Sequence, residues 1–373
     1  MPIQLTEVND SRKLREFIFL PSKIYAQSSR WVPPLYMDEW SFHDPKKNSA
    51  LSYSLVTRII AYADNKAVGR IMGIINKKYN ELHAEKSARF YQLDCINNQE
   101  VASALIGRIE SWSKENGMTK IIGPYGFSDK DPQGLQVEGL DHLPVIATPT
   151  NPAYLQSLVE HSGYEKEIDC VSYRIPVHRQ LPPLFEKIYM RVSQNARFRL
   201  LDFKTKQQLK PYILPVFRLV NQTYAPLFGF TPMSELEMKR FADQYLPVLD
   251  PAFVKIVVDL KNEVIAFGVA MPDMSLGIKR AKGKLFPFGF IHILSAMKKA
   301  QQLNLLLGAI KAEYRGKGII VLLATALFES AAKRNMKTID SHLILESNIP
   351  MRTECEHVGG IVYKRFRIYQ KLI

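Results

Sequence analysis

The stretch Tyr314-Arg315-Gly316-Lys317-Gly318-Ile319-Ile320 lies between an apolar run at 303–310, which reads as a buried strand, and an amphipathic run that continues to about Asn335. A glycine-rich turn from strand to helix presents free backbone N–H groups at the positive end of the helix dipole, where a pyrophosphate is well accommodated. The spacing fits neither G-x-x-x-x-G-K-[ST] nor G-x-G-x-x-G, which sets aside a P-loop and a dinucleotide fingerprint. A phosphate-bearing cofactor is therefore the first expectation at this turn, against the plainer reading of a structural turn before a helix.

Downstream, 338–345 reads as one strand, followed by Glu346-Ser347-Asn348, a short helix, Gly359-Gly360 and a closing stretch at 361–373. The turn at Arg315 and Gly318 resembles the Arg-x-x-Gly-x-[Gly/Ala] loop of the GNAT acyltransferase superfamily, in which successive amides hold the pyrophosphate of acetyl-coenzyme A. Ile320 stands where that loop has Gly or Ala, and a branched side chain in the first helical turn would crowd a cofactor lying on the backbone. Asn348, Met351, Cys355 and Gly359 fall on the superfamily's offsets of Asn, a small residue, Tyr and Gly. Cys355 thus replaces the tyrosine that protonates the departing thiolate. A thiol near its ordinary pKa of about 8.5 is able to donate that proton, although a small buried apolar residue is the plainer reading of a cysteine on a helix.

The resemblance implies acyl transfer from acetyl-coenzyme A, or another acyl-coenzyme A, to an amine. It implies that backbone atoms near Ile310 hold the pantetheine arm, that Arg315 and the amides of Gly316, Lys317, Gly318 and Ile319 hold the pyrophosphate, and that Asn348 orients the thioester. Glu346 is the nearest carboxylate to serve as base, though a water chain would serve equally. Tyr363 is a second candidate acid beside Cys355.

At 373 residues the chain exceeds one ordinary core, so two domains are expected. The segment Ile175-Pro176-Val177-His178-Arg179-Gln180-Leu181-Pro182-Pro183 has three prolines and no apolar period, and reads as a connector. After it, the order expected of a GNAT domain follows: a strand at 198–203, helices at 205–222 and 234–245, and a hairpin of 253–260 with 264–271. The first half repeats this order, with a helix at 11–19, a hairpin of 55–63 with 67–76, a strand at 90–95, a helix at 99–116 and a strand at 120–123. Its equivalent of the glycine turn, Ile96-Asn97-Asn98-Gln99-Glu100, has no glycine and puts an acid at the helix start. The fold expected is α/β (α+β), with two tandem GNAT-like domains, each a mostly antiparallel sheet flanked by helices. Residues 1–178 form the degenerate copy, 179–194 the connector and 195–373 the copy with the acyl-coenzyme A turn.

Charge is uneven. Residues 1–186 carry 21 basic and 22 acidic side chains, residues 187–373 carry 29 and 14. The positive second half favours anionic ligands, coenzyme A phosphates among them. RNA is compatible with it too, which keeps an aminoacyl-tRNA-dependent tandem transferase as one alternative and a non-catalytic GNAT-like binding protein as another. Cys95, Cys170 and Cys355 form neither a disulfide framework nor a metal motif, and no H-E-x-x-H or G-x-S-x-G is present. No signal peptide and no apolar run long enough to span a bilayer are read, so the expectation is a cytoplasmic enzyme, monomer or homodimer. Two further stretches carry candidate roles. Phe127, Glu138 and Asp141, in a block of turn formers, could line a site for a cationic group. The aromatic run 285–294 with Lys298-Lys299 could lie on a membrane or receive an acyl group, or simply pack on its own domain.

Overall fold

The computed structural model describes residues 2–177, 182–194 and 197–373. In the first half, β1 (Gln4–Glu7), α1 (Ser11–Ile24) and α2 (Tyr36–His43) precede the hairpin β2 (Ser54–Ala63) and β3 (Lys66–Asn76). Then come α3 (Lys77–His83), β4 (Ser87–Cys95), α4 (Gln99–Glu115), β5 (Lys120–Gly123), β6 (Leu135–Glu138), α5 (Tyr154–His161) and β7 (Glu165–Pro176). The second half opens with α6 (Pro183–Ser193), β8 (Phe198–Leu201), α7 (Lys206–Leu209), α8 (Ile213–Tyr224) and α9 (Glu235–Tyr245). It continues through β9 (Val254–Asp259), β10 (Val264–Pro272), α10 (Ser275–Arg280), α11 (Gly289–Lys299) and β11 (Gln302–Ile310). Last come α12 (Ile319–Lys333), β12 (Thr338–Asp340), β13 (Ile344–Leu345), α13 (Ile349–His357) and β14 (Ile361–Leu372).

The expected order is present in both halves, with three local departures that have physical causes. The helix expected at 205–222 breaks at Lys210–Tyr212 into a 3-10 turn, because Pro211 has no N–H to continue the ladder. The strand expected at 338–345 breaks into β12 and β13 around His342, which has φ of 58°. The segment read as a connector from Ile175 starts later than expected, because β7 runs to Pro176, while a helix, α6, follows it from Pro183. His178 to Leu181 and residue 195, at the expected domain limits, lie outside the described residues.

The sheet order is β1-β2-β3-β4-β5-β14-β7-β12-β11-β10-β9-β8. Along it, among the described residues, only β4·β5 and β11·β12 are parallel, and each parallel pair is bridged by a helix, α4 or α12, as a parallel crossover requires. Each half's final strand is given to the other. β14 pairs with β5 (Tyr369↔Gly123), β7 pairs with β12 (Ile339↔Ile175), and β7 and β14 pair with each other in the middle. The two repeats therefore share one continuous, mixed but mostly antiparallel sheet.

Strand alternation puts different helices on the two faces of the second half. Ile256, Val258 and Phe267 pack under α8, through Val216, Leu219 and Val220. Val257, Ile265 and Ala266 pack under α12, through Ile319, Leu322 and Leu323, with Val192 of α6 joining them.

Candidate active site

β11 and β12 are paired only at Gln302–Asn304 with Thr338–Asp340. Beyond that point β11 carries on to Ile310 while the other chain turns away at Ser341-His342-Leu343, and β13 pairs with β7 instead. A bulge opposite Val269/Ala270 adds twist to β11 where the split begins. The result is a wedge in the sheet, one edge of which is the free side of 305–310. A cavity of about 680 Å³ occupies it, lined by Leu305 to Ile310 on one side and Ser341 to Leu345 on the other. Val216, Phe217 and Val220 of α8 close it on one face of the sheet, Ile320, Leu323 and Ala324 of α12 on the opposite face. The cavity thus passes through the sheet.

The glycine turn lies at one end of this passage, where Arg315 and Gly316 are part of the lining. Gly316 and Gly318 have φ of 71° and 77°, the left-handed region that glycine adopts without cost. Among the described residues the amides of Gly316, Lys317, Gly318 and Ile319 make no hydrogen bond within the chain. They remain four unused donors at the start of a 15-residue helix. The two glycines differ in surroundings. A Cβ on Gly316 would meet nothing within 4 Å, whereas one on Gly318 would come within 2.7 Å of Val192 Cγ2 and 3.0 Å of Ile188 Cγ2 of α6. Arg315 Nε donates to Ile310 O at 3.2 Å, and Lys317 Nζ lies over the Tyr314 ring. The free edge of β11 is further met by Tyr224 of α8, whose hydroxyl donates to Gly308 O at 2.9 Å. Ile320 packs its branched side chain into the core beneath α12 and lines the cavity.

The remaining expected residues are not all brought to the wedge. Asn348 lines it and caps α13, its Oδ1 accepting from Met351 N at 3.3 Å. Cys355 also lines it, buried, and its thiol is pushed up to about 12 by desolvation and then by Glu354 and Glu356. Glu346 is elsewhere, in an ion cluster: it pairs with Lys166 at 2.7 Å and accepts from Asp169 N at 3.1 Å. Tyr363 donates to Asp340 Oδ2, and burial together with that carboxylate raises its pKa. Phe127, Glu138 and Asp141 are separated: Phe127 is buried among Phe17, Phe42 and Tyr91, Glu138 pairs with Arg365 at 2.9 Å, and the backbone of Asp141 accepts from Arg30.

His342 was not singled out by sequence. It sits in the wedge between β12 and β13, with its backbone N–H donating to Asp340 Oδ1 at 2.6 Å. Its ring Nε2 is 3.1 Å from Ile146 O. A carbonyl only accepts, so Nε2 carries the proton and Nδ1 is left with a bare lone pair. Burial lowers the pKa of His342, outweighing the nearby Asp340. The ring is a neutral base at pH 7. Its sequence signal, a lone histidine after an Asp-Ser pair, is indistinguishable from a core histidine.

Searched against family models, the chain matches none. It is 28% identical to "Protein YghO" of Escherichia coli (strain K12) over 367 residues, which is 96% of this chain and 93% of that protein. It is 25% identical to a bacterial ceramide synthase of Caulobacter vibrioides over 381 residues, covering 100% of this chain and 98% of the other. Among solved structures, a tandem GNAT protein from the clavulanic acid biosynthesis pathway superposes with a TM-score of 0.57 at 12% identity, covering 100% of this chain and 98% of that one. A GCN5-related N-acetyltransferase from Sphaerobacter thermophilus gives 0.50 at 11% identity, covering 99% and 95%. With its duplicated strand order, its split parallel pair and its glycine turn, this chain has the tandem GNAT fold.

Proposed function

We propose that the chain is an acyl-coenzyme A-dependent N-acyltransferase whose donor binds in 195–373, and that the acyl group it carries is longer than acetyl. Residues 1–178 then act as a degenerate GNAT-like domain that supplies one wall of the acceptor side. The cavity through the split sheet carries this reading. Water occupies about 30 Å³ per molecule in the liquid and a methylene is of similar size, so about 680 Å³ holds roughly twenty such groups, a volume shared between the part of the pantetheine arm that lies along β11 and the acyl group. The lining is mostly Leu, Ile, Val and Phe, which suits an alkyl chain. The 25% identical ceramide synthase supports the same class of chemistry, an acyl group delivered to an amine.

In this reading the amides of Gly316 to Ile319 hold the pyrophosphate, the β11 edge near Ile310 holds the pantetheine, and the unpaired Nδ2 of Asn348 donates to the thioester region. The amine nitrogen attacks the thioester carbonyl carbon, His342 Nδ1 takes the proton lost by that nitrogen, and the carbon–sulfur bond breaks with its electron pair going to sulfur. His342 replaces Glu346 as the base because Glu346 is held by Lys166. Cys355 is a weak donor to the leaving thiolate. A thiol at about 12 giving its proton to a thiolate near 8.5 goes uphill by about 5 kcal/mol. Water is the proton source for the sulfur.

Isothermal titration with coenzyme A, acetyl-coenzyme A and a saturated long-chain acyl-coenzyme A tests this. Long-chain binding at least tenfold tighter than acetyl, lost in Gly316→Asp and kept in Gly316→Asn, is expected. No binding of any of the three to the native chain would end the acyltransferase reading.

A further inference from the structure

The segment between β10 and β11 folds as a helical hairpin. Gly277 of α10 lies against α11 so closely that a Cβ there would be 2.6 Å from Ile293 Cα. The inner face of the pair, Ile278 and Ile293, is buried with Met271 and Met274. Ile146, Leu249 and Leu306 join that cluster and are also part of the cavity wall. The outer face has no cover. Leu276, Phe286, Phe288, Phe290, Ile291 and Leu294 are all exposed, Phe286 by 75% and Phe288 by 69%. On α11 the residues 290, 291 and 294 span about a third of the helix circumference, one face, and Lys298 continues it a turn later. Between Ser275 and Lys299 the sequence has six basic residues, Lys279, Arg280, Lys282, Lys284, Lys298 and Lys299, and no acidic one.

A soluble surface scatters its exposed apolar side chains singly; six on one short hairpin form a patch that marks an interaction site. Aromatic and aliphatic tips on a hairpin that also carries five lysines and one arginine match the boundary between acyl chains and anionic headgroups. Phe rings enter that boundary while Arg280, Lys282, Lys284, Lys298 and Lys299, all exposed, reach outward to phosphates, Lys279 being held by the backbone oxygen of Ser29. An acidic protein partner would complement the charges but would leave no reason for Phe286 and Phe288 to be the most exposed of the six. Among the described residues no helix is long and apolar enough to cross a membrane, so the geometry points to docking on one leaflet. We propose that α10, α11 and the loop joining them form a docking face for an anionic lipid bilayer, which brings the wall of the cavity beside the membrane surface.

The test is flotation of the purified full chain with vesicles of phosphatidylcholine alone and of equimolar phosphatidylcholine and phosphatidylglycerol. Binding to the anionic vesicles at least tenfold above the neutral ones, weakened by salt, is expected. Phe286→Glu with Phe288→Glu abolishes it and leaves the circular dichroism spectrum unchanged, since both side chains project into solvent. Lys298→Glu with Lys299→Glu reduces it severalfold. The inference is overturned if native protein floats with neither vesicle, if the phenylalanine variant floats as well as native protein, or if the patch is found only to mediate concentration-dependent self-association. No acyl donor enters this measurement, so its outcome is independent of whether the chain transfers acyl groups.

Discussion

Gly316 and Gly318 occupy the same turn with the same sign of φ but differ in what surrounds them, and that difference predicts distinct consequences. A side chain in the left-handed region costs about 1–2 kcal/mol, and overpacking adds about 1–3 kcal/mol where a new methyl strikes packed neighbours. Gly316→Ala pays only the first, since the space beside it is open. Gly318→Ala pays both, because Val192 and Ile188 are in the way. Urea denaturation should therefore show Gly318→Ala destabilised by about 2–5 kcal/mol and Gly316→Ala by about 1–2 kcal/mol. Equal losses would mean that α6 does not pack on the turn.

His342 and His43 show two outcomes of burying a histidine. The lowered pKa of His342 keeps it unprotonated as pH falls, so the acid limb of kcat/KM is expected below the ordinary histidine range near 6.5. In His342→Gln the rate should fall by about 100-fold with that limb gone; a variant retaining the limb would move the base elsewhere. His43, beneath Phe17 and Phe42, accepts from Arg58 Nε at 2.9 Å and is held at about 2, by burial first and then by Arg58 and Arg70. Its folded pKa lies below its unfolded value, so between pH 6.5 and 2 the unfolded chain binds a proton that the folded chain does not, and stability falls with pH through that window. At pH 5 this amounts to about 2 kcal/mol, from the unfolded side alone. The loss in stability from pH 7 to 5 should be smaller by that amount in His43→Gln than in native protein, by urea denaturation at both values.

At the scale of elements, α8 and α12 face each other across the gap in the sheet, and their side chains set its depth. Ala324 is the smallest of the α12 side chains that reach the cavity from the turn side, and Val220 of α8 lines it from the other. Ala324→Phe and Val220→Trp should each fill several methylene volumes and shift preference by about tenfold or more from long donors toward acetyl-coenzyme A. An unchanged ratio of kcat/KM across a donor series would remove the acyl chain from this passage. The elements on both sides of the glycine turn were legible in the sequence because strand and helix periods are local and the turn needs glycine. The wedge was not. Residues 338–345 are apolar enough to read as one strand, and only pairing with β7, 168 residues away at Ser341 and Tyr173, reveals that it breaks. For the same reason Glu346 looked free, since Lys166 and Asp169, which hold it, come from the other half of the chain. β7 itself is hard to read from sequence because its charges at Glu165, Lys166, Glu167 and Asp169 and its terminal Pro176 mask the alternation of its inner residues.

Over the whole molecule, the exchange of β7 and β14 decides how it unfolds. β14 lies between β5 of the first half and β7, and its Phe366, Ile368 and Tyr369 are almost fully buried. Asp169 ties it further: Arg367 Nε is 2.9 Å away and Lys166 Nζ 3.4 Å. Burial alone would raise the Asp169 pKa, but the hydrogen bonds and charges of Arg367 and Lys166 outweigh it and hold the group below its ordinary value. Its contribution is present above the unfolded pKa and is lost as pH falls through the folded one. Neither half can leave the shared sheet without stripping hydrogen bonds from the other, so one cooperative transition is expected despite the length of the chain. The protein contains its own probes for this. All three tryptophans, Trp31, Trp40 and Trp112, belong to the first half, so fluorescence reports that half while far-ultraviolet circular dichroism reports both. Their urea transitions should coincide, and Phe366→Ala, a cavity in a strand from the far end of the chain, should lower both midpoints together through a loss of about 3–5 kcal/mol. If the tryptophan transition stayed in place while the dichroism shifted, the halves would be independent, and the exchanged strands would be a contact between two domains instead of a shared core.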